Sequence, residues 1–166
     1  MVREELMNSN SLQQRTIQSR RTLSREVVGR LSALSAGEIA LLEESSPDER
    51  AHLMWVAACR RYALVGEFAE EVVRERFLLL TPSLEHQDFD GFFRGKALWH
   101  PELDALTDST RRKLRQNVFR MLREASLVSE SGRILGVILS PRVEAVLNLR
   151  RPSDLRFFPT TREVRA

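Results

Sequence analysis

The apolar positions of the chain recur every three to four residues over most of its length, which is helical spacing. From Leu12 to Leu34, the side chains of Leu12, Thr16, Leu23, Val27, Leu31 and Leu34 fall on one side of a helix, with arginines around the rest. Ser35 with Glu38 three positions on forms a capping-box signature and starts a short helix to Glu44. Ser46-Pro47-Asp48-Glu49 is a stronger start, because a serine cap, a proline at the first helical position and early acids all suit a helix N-terminus. The run from Pro47 to Val65 is apolar on most sides, as a central buried helix would be, and Gly66 is expected to interrupt it before Glu67–Leu80. Pro82 ends that element.

Asp88 is expected to cap a helix carrying Phe89, Phe92 and Phe93 at core spacing, and Pro101 opens a short turn to Leu106. Thr107 caps the clearest helix, Asp108 to Ala125, whose apolar face is Leu114, Val118, Met121, Leu122 and Ala125. The pattern then changes. Val128, Ile134, Leu135, Val137 and Ile138 are strand formers around a Ser131-Gly132 turn, which reads as a β-hairpin. Ser140-Pro141 starts a last helix to Leu149, and Pro152 and Pro159 mark 150–166 as an irregular tail. The expected fold is mainly α, a compact helical bundle with room for a C-terminal winged-helix-like element carrying a short hairpin. No repeat or linker divides 1–166, so one helical domain is expected, with the basic helix and hairpin at 107–139.

Chemistry enters through charge. Of 26 cations only Lys96 and Lys113 are lysines, and the net charge is +3. Arginine's planar fork of donors pairs well with phosphates and guanine edges, although a GC-rich genome alone could enrich it. Position along the chain therefore matters more than the total. Between Thr107 and Ala125, six cations stand against two anions, with Arg112, Lys113, Gln116, Arg120 and Arg123 opposite the apolar face and Arg111 and Arg115 at its edge. A second basic stretch, Ser11 to Arg30, sets Arg15, Arg20, Arg21, Arg25 and Arg30 against Glu26. Ser35 to Trp55 is acidic by contrast, so the charge is segregated. The alternative is a solvated face whose arginines pair with Glu43, Glu44, Glu70 or Glu71.

The order short element, basic helix, hairpin, short helix is also that of a winged-helix reader, in which the basic helix enters the major groove and the wing follows the backbone. Arg133, beside the turn, would be the wing cation.

Catalytic inventories are thin. None of the seven glycines falls in a phosphate-loop or dinucleotide pattern, and the three histidines do not pair for metal binding. Cys59 lies in an apolar helix and reads as a small buried hydrophobe, and Lys96 has Arg94 rather than an acid before it. Trp55 and Trp99 are expected in the core. No apolar run approaches the ~20 residues of a membrane span, and the start lacks a secretory pattern, so a cytoplasmic, non-membrane protein without cofactor or metal is expected.

Trp55 with Cys59-Arg60-Arg61-Tyr62, then Glu67-Phe68-Ala69-Glu70-Glu71-Val72, resembles the middle of the BrxA family of bacterial BREX phage-defence systems. So do Asp88-Phe89-Asp90-Gly91-Phe92-Phe93, His100-Pro101-Glu102-Leu103, and Leu106-Thr107 with Ser109-Thr110-Arg111 and Lys113-Leu114-Arg115-Gln116-Asn117. The likeness runs from Asn8 to Pro159. It implies a small helical protein similar to antitermination-factor-type nucleic-acid binders, which binds double-stranded DNA without catalysis. It also implies partnership with other BREX components, including a methyltransferase and ATPases. Under that resemblance the binding residues are those of Arg111 to Arg123. Some relatives carry an inner-membrane label, which this sequence does not support. Relatives usually carry further helical sequence before the region matching Asn8, which implies an exposed first helix or a late start here. The rival expectation is a protein-interaction adaptor using apolar surface around Phe157 and Phe158, and a metal nuclease stands third.

Overall fold

The computed structural model describes residues 17–164, and its elements are nearly all helical. Helix α1 spans Ile17–Leu31 and α2 Ala36–Glu43. Helix α3, Pro47–Arg61, is the hub: α1, α2, the following helix α4 (Ala63–Phe68), the basic helix α8 (Asp108–Glu124) and a 3-10 turn at Asp154–Phe157 all pack on it. Both capping boxes form as the sequence implies. Ser35 Oγ accepts from the Glu38 amide while Glu38 accepts from the Ser35 amide, and Ser46 with Glu49 repeats the arrangement. Of the α3 side chains, Leu53, Trp55, Val56, Ala57, Ala58 and Cys59 are buried.

The break after α3 falls at Tyr62, in extended backbone, and not at Gly66. Gly66 lies within α4, where a Cβ would sit 2.8 Å from the Cys59 carbonyl oxygen and 3.1 Å from Phe157. Glycine is needed there for close approach, which lets α4 fold back on the end of α3. A π-helical stretch, Ala69–Arg74, leads to α5, Glu75–Leu78. That helix ends with Leu80 at φ 56° and the Thr81 amide bonded to the Arg76 carbonyl, a Schellman closure made without glycine.

Helix α6 spans His86–Ala97, α7 Pro101–Asp104 and α9 Pro141–Leu147. Glu85, not Asp88, is the N-cap of α6. Asp88 stands three residues in, accepting from the Glu85 amide at 2.7 Å and pairing with Arg76. The expected hairpin narrows to isolated antiparallel bridges, Val128 with Ile134 and Ser83 with Arg133. Its Ser131-Gly132 turn is tied to the preceding segment by Leu84 N to Gly132 O and Ile134 N to Pro82 O. The turn is therefore docked, not a free-standing wing.

Between Arg150 and Val164 the described chain holds one short 3-10 turn in otherwise irregular backbone, and this segment packs into the core. Leu155, Phe157 and Phe158 are buried, Ser153 caps the 3-10 turn, and Trp55 Nε1 donates to the Phe157 carbonyl at 2.9 Å. Asp154 closes a buried ion cluster: Arg60 donates to Glu38 at 2.7 Å through each of its terminal nitrogens and to Asp154 at 2.6 and 2.9 Å. Burial alone would raise the Glu38 carboxyl, but the Arg60 and Ser35 hydrogen bonds outweigh it and hold the group below its ordinary value. Trp99 departs from the core assignment in the other direction and is 83% exposed.

His52, buried on α3 with its ring edge-on to Phe158 at 5.7 Å, carries a pH dependence. Burial pushes its pKa below the usual 6.5, with the Asp48 and Glu49 charges opposing only in part. The unfolded chain then binds more protons than the folded one as pH falls through that value, so acidification costs stability. The melting temperature should drop between about pH 7.5 and 5.5 in the wild type, and His52→Gln should flatten that limb. Equal slopes would remove His52 as the cause.

Candidate nucleic-acid interface

Helix α8 forms because Thr107 Oγ1 accepts from the Thr110 amide and because one face has a core to enter. Val118, Met121 and Leu122 are buried, and Phe119 joins them, its ring 4.8 Å from His86 and 6.4 Å from Phe68. The apolar face is thus wider than the wheel of Leu114, Val118, Met121, Leu122 and Ala125. The remaining surface of the helix carries the cations.

Those cations divide into three groups. Arg115 reaches α6, donating to Asp90 at 2.5 Å, and Arg111 donates to the Asp104 carbonyl at 2.8 Å while lying over the Phe93 ring at 5.4 Å. Both serve to fix α8 against α6 and α7. Arg120 and Arg123 make long surface pairs, with Glu124 at 3.6 Å and Glu130 at 3.8 Å, which are worth little in water. Arg112, Lys113 and Gln116 are exposed, and neither cation has an acidic partner among the described residues. Arg133 is also exposed, its backbone held by the Ser83 bridge and the Ser129 hydroxyl. The acids proposed as internal partners are occupied elsewhere or left alone by α8: Glu70 meets Arg156 and Glu71 meets Lys96.

The described part of the upstream basic stretch, from Ile17 on, lies on α1, which packs on α3 as α8 does. The two helices meet where Arg30 Nη2 lies 3.4 Å from Met121 Sδ. Arg21 and Arg25 are exposed without an acidic partner among the described residues, whereas Arg30 pairs with Glu26 at 3.5 Å. Arg20 falls in the first turn of α1, and Arg15 lies outside the described residues.

One contributor escaped sequence reading. Arg94 on α6 is exposed and, with Arg111, Arg112 and Arg115, lines a cleft of 480 Å³ between α6 and the first turns of α8. Asp90 and Asp108 are its acids. No local pattern around Arg94 signals this, because its neighbours in the cleft come from α8. Lys96 is spent differently, between Glu67 at 2.6 Å and Glu71 at 2.7 Å, hydrogen bonds that raise its pKa despite some burial. Burial raises the Cys59 thiol well above its ordinary value. Among the described residues no three His, Cys, Asp or Glu side chains gather as a metal site, and no helix is long and apolar enough to cross a membrane.

The model of the BrxA family matches residues 1–151. The chain is 27% identical over 154 residues to the BREX protein BrxA of Escherichia coli O9:H4 (strain HS), covering 92% of this chain and 72% of that one. It is 25% identical over 122 residues to the BREX protein BrxA of Paramagnetospirillum magneticum (strain ATCC 700264 / AMB-1), covering 74% of this chain and 61% of the relative. The crystal structure of an uncharacterized protein from Magnetospirillum magneticum superposes with a TM-score of 0.78 at 24% identity, over 95% of this chain and 81% of that one. That last likeness bears on the fold alone.

Proposed function

This chain belongs to the BrxA family, a component of BREX systems, and from that premise we propose that it is a non-catalytic, cytoplasmic protein that binds double-stranded DNA through phosphates. The observation that carries the reading is the outer row of α8. Arg112 and Lys113 point to water without an acidic partner among the described residues, and Gln116 and Arg120 continue the row. Arginines on an exposed helix contact backbone phosphates more often than bases, so the binding is expected to be weakly sequence-selective and steeply salt-dependent. Arg123, Arg133 and Arg21 extend the proposed surface, Arg15 and Arg20 are proposed to join it from their place in the basic sequence stretch alone, and Arg111 and Arg115 brace it from within. Other BREX components, the methyltransferase and ATPase subunits among them, are proposed partners.

The test is a salt titration of binding to a random duplex. Each phosphate contact contributes about −0.9 to the log–log slope, roughly a fivefold gain in affinity at ~0.15 M salt. Arg112→Ala with Arg120→Ala should therefore weaken binding about 25-fold and flatten the slope by ~1.8. The melting temperature should hold, since both side chains are exposed. Unchanged affinity would remove α8 from the interface.

A second reading, the assembly adaptor, is favoured by a specific surface, though not the expected one. Phe157 and Phe158 are buried and cannot dock a partner. Leu79 and Leu80 are exposed instead, and Leu80 shares an open cleft with Phe77, Pro82, Ile134 and Leu135. An adaptor without nucleic-acid affinity would give no duplex complex even at low salt.

A further inference from the structure

Within the α6–α8 cleft, four guanidinium groups from two helices face two carboxylates, an excess of two positive charges in one concavity. The acids offset the other two unevenly, Asp90 closely and Asp108 weakly. Asp90 meets one nitrogen of Arg115, and Asp108 is 91% exposed and 4.0 Å from Arg111. Arg111 and Arg115 are held rigidly, the first by a neutral carbonyl and the Phe93 ring, the second by Asp90. Their Nε atoms are buried without a protein acceptor. Arg30, Arg74 and Arg156 share that last property elsewhere, so convergence marks the cleft and orphan donors only add to it. Arg94 and Arg112, at the mouth, are exposed and make no ion pair among the described residues.

We propose that this cleft seats one phosphate group, gripped by Arg94 and Arg112 at its mouth and backed by the fixed charges of Arg111 and Arg115. The inference rests on the reading of α8 as a DNA-facing helix, and it adds α6 to the interface through Arg94. Two fixed cations at the back cost no side-chain entropy when the phosphate arrives, and two mobile ones at the front close on its oxygens in the forked geometry that guanidinium favours. The phosphate can belong to an internal phosphodiester or to a duplex end.

Arg94→Ala separates this proposal from its premise. Anisotropy of a fluorescein-labelled random duplex, titrated across salt, should show a log–log slope smaller by about 0.9 and an affinity about fivefold lower at ~0.15 M salt. Arg151→Ala, an exposed arginine outside the cleft, should change neither quantity. Melting curves should coincide for all three proteins. If the wild type binds and Arg94→Ala matches it in slope, the seat is overturned while the α8 reading stands. If the wild type gives no complex at low salt, both fall. Repeating the titration with 5′-phosphorylated and 5′-hydroxyl duplexes identifies the source. Equal, Arg94-dependent binding assigns the phosphodiester, and an Arg94-dependent preference for the 5′-phosphate assigns the terminal group.

Discussion

Phe158→Ala lowers folding stability by about 3–5 kcal/mol, the range found for deleting a fully buried aromatic ring. Phe158 has no exposed surface, it packs against the His52 ring, and its neighbours Leu155 and Phe157 are equally enclosed. Surrounding helices cannot collapse onto the gap, because the Phe157 carbonyl is pinned by Trp55 and Asp154 by Arg60. Domains of this size hold only about 5–15 kcal/mol in all, so the variant should unfold at markedly lower urea. A chain ended after Arg150 loses all three side chains and should not fold cooperatively. A Phe158→Ala midpoint within error of the wild type would contradict the burial described above.

Arg60→Ala is the second large effect, about 3–5 kcal/mol, and its origin is different. The cavity is minor. The damage comes from Glu38, 3% exposed and left charged without a counter-ion among the described residues, and from Asp154, 2% exposed and left with only Arg156 at 3.9 Å. This origin has a signature in pH. Unpaired and buried, the Glu38 carboxyl should titrate above the unfolded value, so the variant's folded state binds more protons than its unfolded state near pH 5. Its deficit should then shrink as pH falls toward about 4.5, the opposite of the wild-type trend, in which the lowered Glu38 pKa makes acid destabilising. Urea titrations of both proteins at pH 7 and pH 5 read the difference. A deficit independent of pH would mean that lost packing, not stranded charge, is responsible.

The helices with local start signals were legible in the sequence. Ser35, Ser46, Thr107 and Ser140 each bond to an amide three residues on, an interaction contained in one turn and needing no tertiary context. Features decided by distant partners were not. Nothing near Pro152 or Pro159 indicates that Phe157 and Phe158 fill the space beside α3, and nothing around Trp99 shows that no element among the described residues covers it. Gly66 was noticed as a breaker because glycine usually weakens helices, whereas its use is the close approach to Cys59. Asp88 has the side chain of a helix cap and directly precedes the Phe89, Phe92 and Phe93 face, whereas the chain enters the helix three residues earlier, at Glu85.

The basic face of α8 divides along the same line. Its periodicity separates cations from core, but the division of labour among them depends on other helices. Arg115 is committed because Asp90 on α6 lies opposite, and Arg111 because the last turn of α7 offers a carbonyl. Arg112 and Lys113, adjacent in sequence, have no such neighbour among the described residues. Arg94 was invisible as a participant because its relation to α8 exists only after α6 docks.

The contrasting positions of the two indoles give the molecule a built-in pair of optical reporters. Trp55, enclosed and hydrogen-bonded, should emit toward the blue and resist iodide, while Trp99 emits from water and is quenched by it. One spectrum thus separates events at the α6–α7 corner from loosening of the interior, without any label being attached.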